Sequence, residues 1–405
     1  MNPIALSFEE ALAQLLVAAL PVAETETLST LDAAGRVLAA AQHSLIDVPP
    51  HDNSAMDGYA VRVADVTVHG STLPIAQRIA AGRVGSQLAP GTAARIFTGA
   101  PIPSGADAVV MQEQCAAEGD RVTIKHLPQA GDNIRRRGED VAVGSEILAA
   151  GTRLTPQALG LAASVGIPEL RVFRRLRVAI FSTGDELVMP GESLPPGAIY
   201  NSNRFVLRGL IQGLGCELVD LGIVPDNLGK TREALRRAAQ GTDLILTTGG
   251  VSVGEEDHVK AAVQAEGELN LWKIAVKPGK PLAFGHIANS SGSAPFIGLP
   301  GNPVASFVIF LMLVRPFLRK RQGVAAQNPR GISLPADFEW KKPEKRREFL
   351  RARIGDDGRV QLYSHQGSGV LTSTVWAEGL VDLAPNRTVA RGDNVRFLPF
   401  SELLN

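Results

Sequence analysis

Between residues 176 and 320 the chain alternates two periodicities, and that alternation leaves few folds open. "LRVAIF" (176–181), "CELVDLGIV" (216–224) and "DLILTT" (243–248) are short, nearly continuous apolar runs, the pattern of strands buried on both faces. Between them lie "NRFVLRGLIQGLG" (203–215), a helical pattern closing on glycine, and "NLGKTREALRRAAQG" (227–241), a helix opening on the capping residue Asn227. A further helix is expected to start near Glu255. "LWKIAV" (271–276), "PLAFG" (281–285) and "PFIGL" (295–299) read as strands, and "PVASFVIFLMLVRPFLRK" (303–320) as one helix. The rhythm predicts an α/β fold with a mostly parallel sheet covered on both faces.

The flanking regions have another texture. Ser7 and Glu10 form a capping-box signature ahead of an amphipathic helix to about Leu20, and a second helical pattern covers roughly 28–40. From "DVPPHDNSAMDGYAV" (47–61) to about 146, short β-branched runs broken by Gly and Pro predict mostly strand. Helical pattern returns at "TPQALGLAASVG" (155–166), with Thr155 as cap and Pro156 at the first helical position, so 47–146 reads as an insertion into a helical domain. From about 331, "EFLRARI", "GRVQLYS" and "NVRFLPF" predict a small β-domain.

In open α/β sheets ligands bind beyond the carboxyl ends of the strands. The segments following the expected strands are "STGDE", "PDN", "GGVSVGEEDH", "KPGKP" and "PGNP", whereas the helix-to-strand connections are plain. If the strands are parallel, these five loops converge on one crevice. It would hold Asp185, Glu186, Asp226, Glu255, Glu256 and Asp257 together with Lys277 and Lys280. Carboxylates beside lysines suit a phosphorylated ligand bridged by Mg²⁺, which takes one or two carboxylates and completes its shell with phosphate oxygens. Each loop also has a plainer reading. Gly249–Gly250 serves as a tight turn, Glu255 and Glu256 as first-turn acids opposing a helix dipole, "PGNP" as a rigid turn with Asn302 capping the last helix, and "KPGKP" as a turn with solvated lysines. Outside this block, "DNSAMDGYA" (52–60) is either an ordered loop or a backbone and carboxylate presented to a ligand. "NIRRRGEDV" (133–141) is either a solvated charged strand or a guanidinium aimed at phosphate. "KKPEKRREFLRAR" (341–353) reads as surface, with Arg351 a weaker candidate.

Charge and cysteine usage exclude other classes. Lys+Arg and Asp+Glu both total 41, so there is no global drive toward nucleic acid or an anionic membrane, and anion binding must be local. Two cysteines without a CxxC fit a reducing compartment. The longest apolar run, "FVIFLMLV" (307–314), is far shorter than the ~20 residues that span a bilayer. The first residues lack a basic segment and are interrupted by Glu9 and Glu10, unlike a signal peptide, so a soluble cytoplasmic protein is expected. Gly229-Lys230 lacks the earlier glycine of a phosphate-binding P-loop, no GxGxxG follows a strand, and no HExxH or GxSxG occurs.

"DNSAMDGYAV", "TGAPIPSGADAVVMQE", "RRRGEDV", "STGDEL", "TTGGVSVGEEDH", "KPGKP" and "GLPGNPVAS" occur in this order across most of the chain. Together they resemble the MoeA family, the molybdopterin molybdenumtransferases, related to the E domain of gephyrin. The resemblance implies a helical part from 1–46 and 147–175, an inserted β-rich part at 47–146, a MogA-like three-layer α/β/α part at 176–328, and a β-barrel-like part at 329–405. It also implies a homodimer whose site lies between the α/β part of one subunit and the inserted part of the other, and contact with molybdopterin adenylyltransferase. The implied reaction takes adenylylated molybdopterin and molybdate with Mg²⁺, releases AMP and leaves molybdenum on the dithiolene. By motif, Asp57, Asp140, Asp226, Asp257 and Glu186 fall on functional acids of the family, and Thr98, Arg135, Lys273, Lys277, Pro300 and Pro303 on binding positions. In physical terms Asp226 and Asp257 would hold Mg²⁺ at the pyrophosphate. Lys277 and Lys280 would grip phosphate over the Gly249–Gly250 backbone, and Arg135 with Asp57 would frame molybdate or the pterin side.

Two other readings differ in what they consume or bind. A MogA-type adenylyltransferase would use ATP with molybdopterin and no molybdate, and regions 1–175 and 331–405 argue against it. A gephyrin-like scaffold would bind a partner without turnover, and no disordered linker supports it.

Overall fold

The computed structural model describes residues 5–250, 258–279, 281–290, 292–325 and 328–404. The chain divides into two compact units, one of Met1–Glu26, Gly35–Ala39 and Val172–Asn405, the other of Thr27–Ala34 and Ala40–Arg171.

The first unit is organised around a six-stranded sheet. In chain order its strands are β1 (Arg177–Thr183), β2 (Glu217–Val224), β3 (Leu244–Thr248), β4 (Gly267–Lys273), β5 (Pro281–Asn289) and β6 (Gly292–Leu299), and they lie side by side as β2-β1-β3-β6-β5-β4. β2, β1, β3 and β6 are parallel, and β5 is antiparallel to both neighbours, so β4 again runs with the others. The sheet is therefore mixed, with one reversed strand, and β4 delivers its carboxyl end to the same edge as β1, β3 and β6.

Side-chain alternation along each strand builds two cores. Val178, Ile180, Leu244, Leu246 and Ile297 face helix α1 (Ser202–Gly213) and a long helical run, while Ala179, Phe181, Ile245 and Phe296 face α2 (Leu228–Ala239) and α3 (His258–Glu266). With both faces covered, solvation offers no penalty-free place for a charge in these strands, which is why they read as continuous apolar runs. The long run is not one regular helix. α4 (Pro303–Ile309) passes through a π turn at Phe310–Val314 into α5 (Arg315–Arg321). Pro316 has no amide hydrogen and its ring collides with the carbonyl one turn back, so the helix widens just before it.

A second sheet belongs to the same unit. It runs Val276–Lys277, Arg347–Ile354, Gly379–Leu383, Asn394–Pro399 and Ile332–Pro335, with Val360–Leu362 paired to Arg347–Ile354. The amino-terminal helix Phe8–Ala18 starts with the expected capping box: Ser7 Oγ accepts from Glu10 N at 3.1 Å and Glu10 Oε2 accepts from Ser7 N at 2.8 Å. It buries Phe8, Ala11 and Leu15 in the α1-side core.

The helix expected over 28–40 does not form. The chain there is a strand, Thr25–Ser29, a 3₁₀ turn, Thr30–Asp32, and a turn at Gly35, whose φ of +73° a helix cannot contain. Ala33, Val37 and Leu38 still bury, so the apolar spacing marked burial rather than helix.

The second unit holds a six-stranded sheet in the order Ala108–Met111, Gly58–Val61, Ala93–Ile96, Ser71–Ile79, Arg121–Ile124, Cys115–Glu118. It also contains the helix Pro156–Ser164, capped as expected by Thr155 Oγ1 on Ala158 N at 3.3 Å. Among the described residues no helix is long and apolar enough to cross a membrane.

Candidate functional site

Register puts the ends of three parallel strands level: Ser182 is opposite Thr248, and Thr248 opposite Leu299. Beyond that edge lies a cavity of about 800 Å³. Its floor is Thr183, Thr248, Gly249 and Gly250, and Pro300, Gly301, Asn302 and Pro303 form the wall leading into α4. Glu186 and Leu187 come from the loop after β1, Gly279 from the segment after β4, and Ser368 and Gly369 from a loop of the second sheet region. Four of the five loops singled out by their composition thus reach the cavity: "GGVSVGEEDH" and "PGNP" with their glycines and prolines, "STGDE" through Thr183 and Glu186, and "KPGKP" through Gly279.

The glycines are required here. Gly249 and Gly250 have φ of +86° and +65°. A Cβ would stand 2.9 Å from Thr183 O at Gly249 and 2.3 Å from Val259 Cγ2 at Gly250. The backbone therefore turns away from β3 in a conformation that strains any residue with a side chain, and at Gly249–Gly250 the floor presents main chain only. Gly184 plays a related part, since a Cβ there would lie 2.5 Å from Glu186 Oε2, so its absence makes room for that carboxylate.

The other predicted residues of this unit are placed less uniformly. Asp226 stands beside Asp185, whose Oδ1 accepts from Asp226 N at 3.2 Å, but neither lines the cavity. Lys273 is exposed on β4. Lys277 does not reach into the cavity: its Nζ is 2.9 Å from Glu348 Oε1 and 3.4 Å from Glu344 Oε1, so its charge is already matched by two carboxylates. Asp257, Lys280, Glu255 and Glu256 lie outside the described residues. Asn302 occupies the cap position of α4 but makes no capping bond with its side chain, which leaves that amide at the cavity wall.

Two contributions were not anticipated. At the start of α1, Asn201 caps the helix through Oδ1 to Arg204 N at 3.2 Å, and its Nδ2 is buried without a partner among the described residues. Asn203 Nδ2 donates to Gly301 O at 2.8 Å. The "YNSN" preceding the helical pattern was the available signal. The second is the burial of Arg351, a weaker candidate in a stretch read as surface, which is fully buried. It donates through Nε to Ser373 Oγ at 3.1 Å, through Nη1 to Phe349 O at 3.3 Å and through Nη2 to Gly367 O at 3.2 Å. Among the described residues it has no carboxylate partner, and burial pushes its pKa down to about 10. Arg351 does not itself line the cavity, but its bond to Gly367 O places the guanidinium behind the Ser368–Gly369 wall, where a positive charge favours an anion in the cavity.

In the second unit, Asp57 Oδ1 accepts from both Thr98 N and Thr98 Oγ1 at 2.8 Å, and these bonds, the backbone one first, hold the carboxyl below the usual range. Of the three consecutive arginines, Arg136 pairs with Asp52 at 2.7 Å and Arg137 with Asp47 at 2.6 Å. Arg135, paired through its backbone with Asn53, is exposed, and no ion pair forms on its side chain among the described residues. Asp140 is exposed, and its backbone N donates to Val48 O at 3.0 Å. Among the described residues no three His, Cys, Asp or Glu side chains cluster as a ready metal cage.

Residues 6–166 match the MoeA N-terminal region (domains I and II), 179–320 a probable molybdopterin binding domain, and 333–400 the MoeA C-terminal region (domain IV). The chain is 43% identical over 389 residues to the molybdopterin molybdenumtransferase of Haemophilus influenzae, covering 94% of this chain and 95% of that one. It is 40% identical over 353 residues to the molybdopterin molybdenumtransferase of a Nostoc species, covering 85% and 81%. Among solved structures it is similar to the molybdopterin biosynthesis moeA protein of Pyrococcus horikoshii, at 29% identity and a TM-score of 0.85 over 98% of this chain and 100% of that one. A single alignment over nearly the whole length, carrying all three regions in order, shows that this chain belongs to the MoeA family of molybdopterin molybdenumtransferases.

Proposed function

We propose that this protein inserts molybdate into adenylylated molybdopterin in a Mg²⁺-dependent reaction that releases AMP. The observation that carries this reading is the cavity itself: a main-chain floor at Gly249–Gly250 beneath the wall that rests on the buried Arg351 cation. A main-chain floor lets a pyrophosphate approach closely, and the cation offsets part of its charge. In the reaction an oxygen attacks the adenylyl phosphoanhydride, the bond to AMP breaks and AMP carries away the displaced electron pair. The residues of this chain serve it by binding and orientation. Asn201 through Nδ2, Asn203 through Oδ1 and Asn302 through its amide would serve the polar groups of the ligand, and Glu186 offers a carboxylate at the rim.

Asp226, tied through its backbone amide to Asp185 beside the strand ends, would hold a hard cation together with Asp257, since such a cation needs only one or two protein carboxylates besides phosphate. Bound Mg²⁺ would neutralise charge developing on the phosphoanhydride. Arg135, without an ion pair among the described residues, and the Asp57–Thr98 pair would serve the oxyanion or pterin side from a second copy of the chain, in a homodimer. Lys277 enters this picture through its carboxylates rather than as a free phosphate grip.

The test incubates purified protein with adenylylated molybdopterin, Mg²⁺ and either molybdate or tungstate, and follows AMP release and metal incorporation together. Coupled appearance of both is expected. Consumption of ATP with molybdopterin in the absence of oxyanion would instead identify an adenylyltransferase.

A further inference from the structure

Glu348 is a carboxylate in a place that disfavours one. It lies on the strand Arg347–Ile354, 1% exposed, and an ionised group so buried is tolerated only when paired and hydrogen-bonded. Its two oxygens meet different groups, Oε2 through a hydrogen bond and Oε1 through an ion pair without a hydrogen bond among the described residues. Oε2 accepts from Trp340 Nε1 at 2.8 Å, and Oε1 lies 2.9 Å from Lys277 Nζ. Lys277 and Glu348 are also register partners, because Val276–Lys277 pairs in parallel with the start of that strand.

Val276–Lys277 continues the chain directly from β4, so the two sheets of this unit are joined through it. Two residues later Gly279 forms part of the cavity wall, where a Cβ would come within 3.1 Å of Ile309 Cγ1. The backbone bond from Arg347 N to Ala275 O, 2.9 Å, fixes the start of the segment, and beyond it Lys277 is held by side chains, closely by the buried Glu348 and at 3.4 Å by Glu344. Arg347 turns its own side chain to Asp382, within the second sheet, and so adds nothing at Gly279.

We propose that Glu348 is a positioning residue: by holding Lys277 it sets the 274–279 segment, and hence the wall at Gly279, for the adenylylated ligand. The consequence for catalysis rests on the function proposed above; the anchoring does not. Glu348→Gln keeps the shape and the bond from Trp340 but removes the nearer and buried one of the two charges that hold Lys277, leaving only Glu344 at 3.4 Å. Two measurements read it out: steady-state AMP release, and hydrogen exchange at the amides of Val276, Lys277 and Gly279.

KM for adenylylated molybdopterin is expected to rise about 5–20-fold with kcat within about twofold, the pattern of lost ground-state binding. Exchange at the three amides is expected to quicken at least about tenfold. In a Lys277→Met background Glu348→Gln should add less than about twofold, because the two act as one pair. Should Glu348→Gln fail to fold, Lys277→Arg carries the test: it keeps a cation on Glu348 and should retain the amide protection that Lys277→Met loses. A folded Glu348→Gln with unchanged exchange and KM overturns the proposal. So does a KM effect that persists undiminished in the Lys277→Met background. Wild-type protein that releases no AMP would refute the assigned reaction, and the exchange measurement would still decide the anchoring.

Discussion

Gly250 carries two constraints at once, a φ of +65° and a contact that would put a Cβ 2.3 Å from Val259 Cγ2 on α3. Gly250→Ala must therefore strain the backbone and push α3, at a cost of about 1–3 kcal/mol in stability. Urea unfolding should show a lower midpoint with unchanged slope, and AMP release should fall as the cavity floor shifts. A midpoint equal to wild type would mean that the site has room to relax. Asp257 lies in a stretch outside the described residues, yet its role is testable: Asp257→Asn should leave the fold intact and abolish Mg²⁺-dependent AMP release. Unchanged release at matched Mg²⁺ would remove Asp257 from the metal site. The arginine triplet shows the limit of reading single residues from sequence. Arg136 and Arg137 are committed to Asp52 and Asp47, more than eighty positions away, and Arg135 is left over. No local pattern distinguishes the three, because their partners are brought close only by the fold.

At the scale of elements, strands were legible where burial was two-sided. β1 and β3 lie within two residues of their expected positions and β6 within three, because a doubly covered strand leaves an unbroken apolar run. Helical expectation failed at 28–40, where apolar residues bury through irregular chain, and was only approximate at 303–320, where Pro316 forces a π turn. The pairing of elements was not legible at all. α2 and α3 are clamped by Glu266, which sits 2.6 Å from Arg232 Nε and 2.7 Å from Arg236 Nε. Its hydrogen bond with Arg236 leads the effects that hold its pKa down to about 2. A depressed carboxyl pKa stabilises the fold above the unfolded value, and that contribution is lost as pH falls toward the folded value. Glu266→Gln should therefore be less stable than wild type by ~1–2 kcal/mol near neutral pH, after allowance for screening of the exposed arginines. The difference should close between about pH 4.5 and pH 2. Thermal unfolding across that range checks both the size and the direction.

At the scale of the molecule, the sequence feature that carried furthest was the shared edge of the loops, since parallel strands must deliver their carboxyl ends to one side whatever the side chains do. It could not say which chain supplies Asp57, Thr98 and Arg135. If the site is shared between two copies, two separately disabled variants should repair each other. Asp57→Asn disables the contribution of the second unit, and Glu186→Gln that of the cavity. In a mixed dimer one site then combines an intact cavity with an intact Asp57, and the other combines both defects. Equal mixing makes half of the dimers mixed, and each has one working site of two, so about a quarter of wild-type AMP release should return after subunit exchange. A site built within one chain contains one defect in every copy and recovers nothing. The readout is the rate after unfolding and refolding the two variants together, against the same variants refolded apart and then combined. Recovery only on joint refolding assigns the site to two chains; equal, residual rates in both assign it to one.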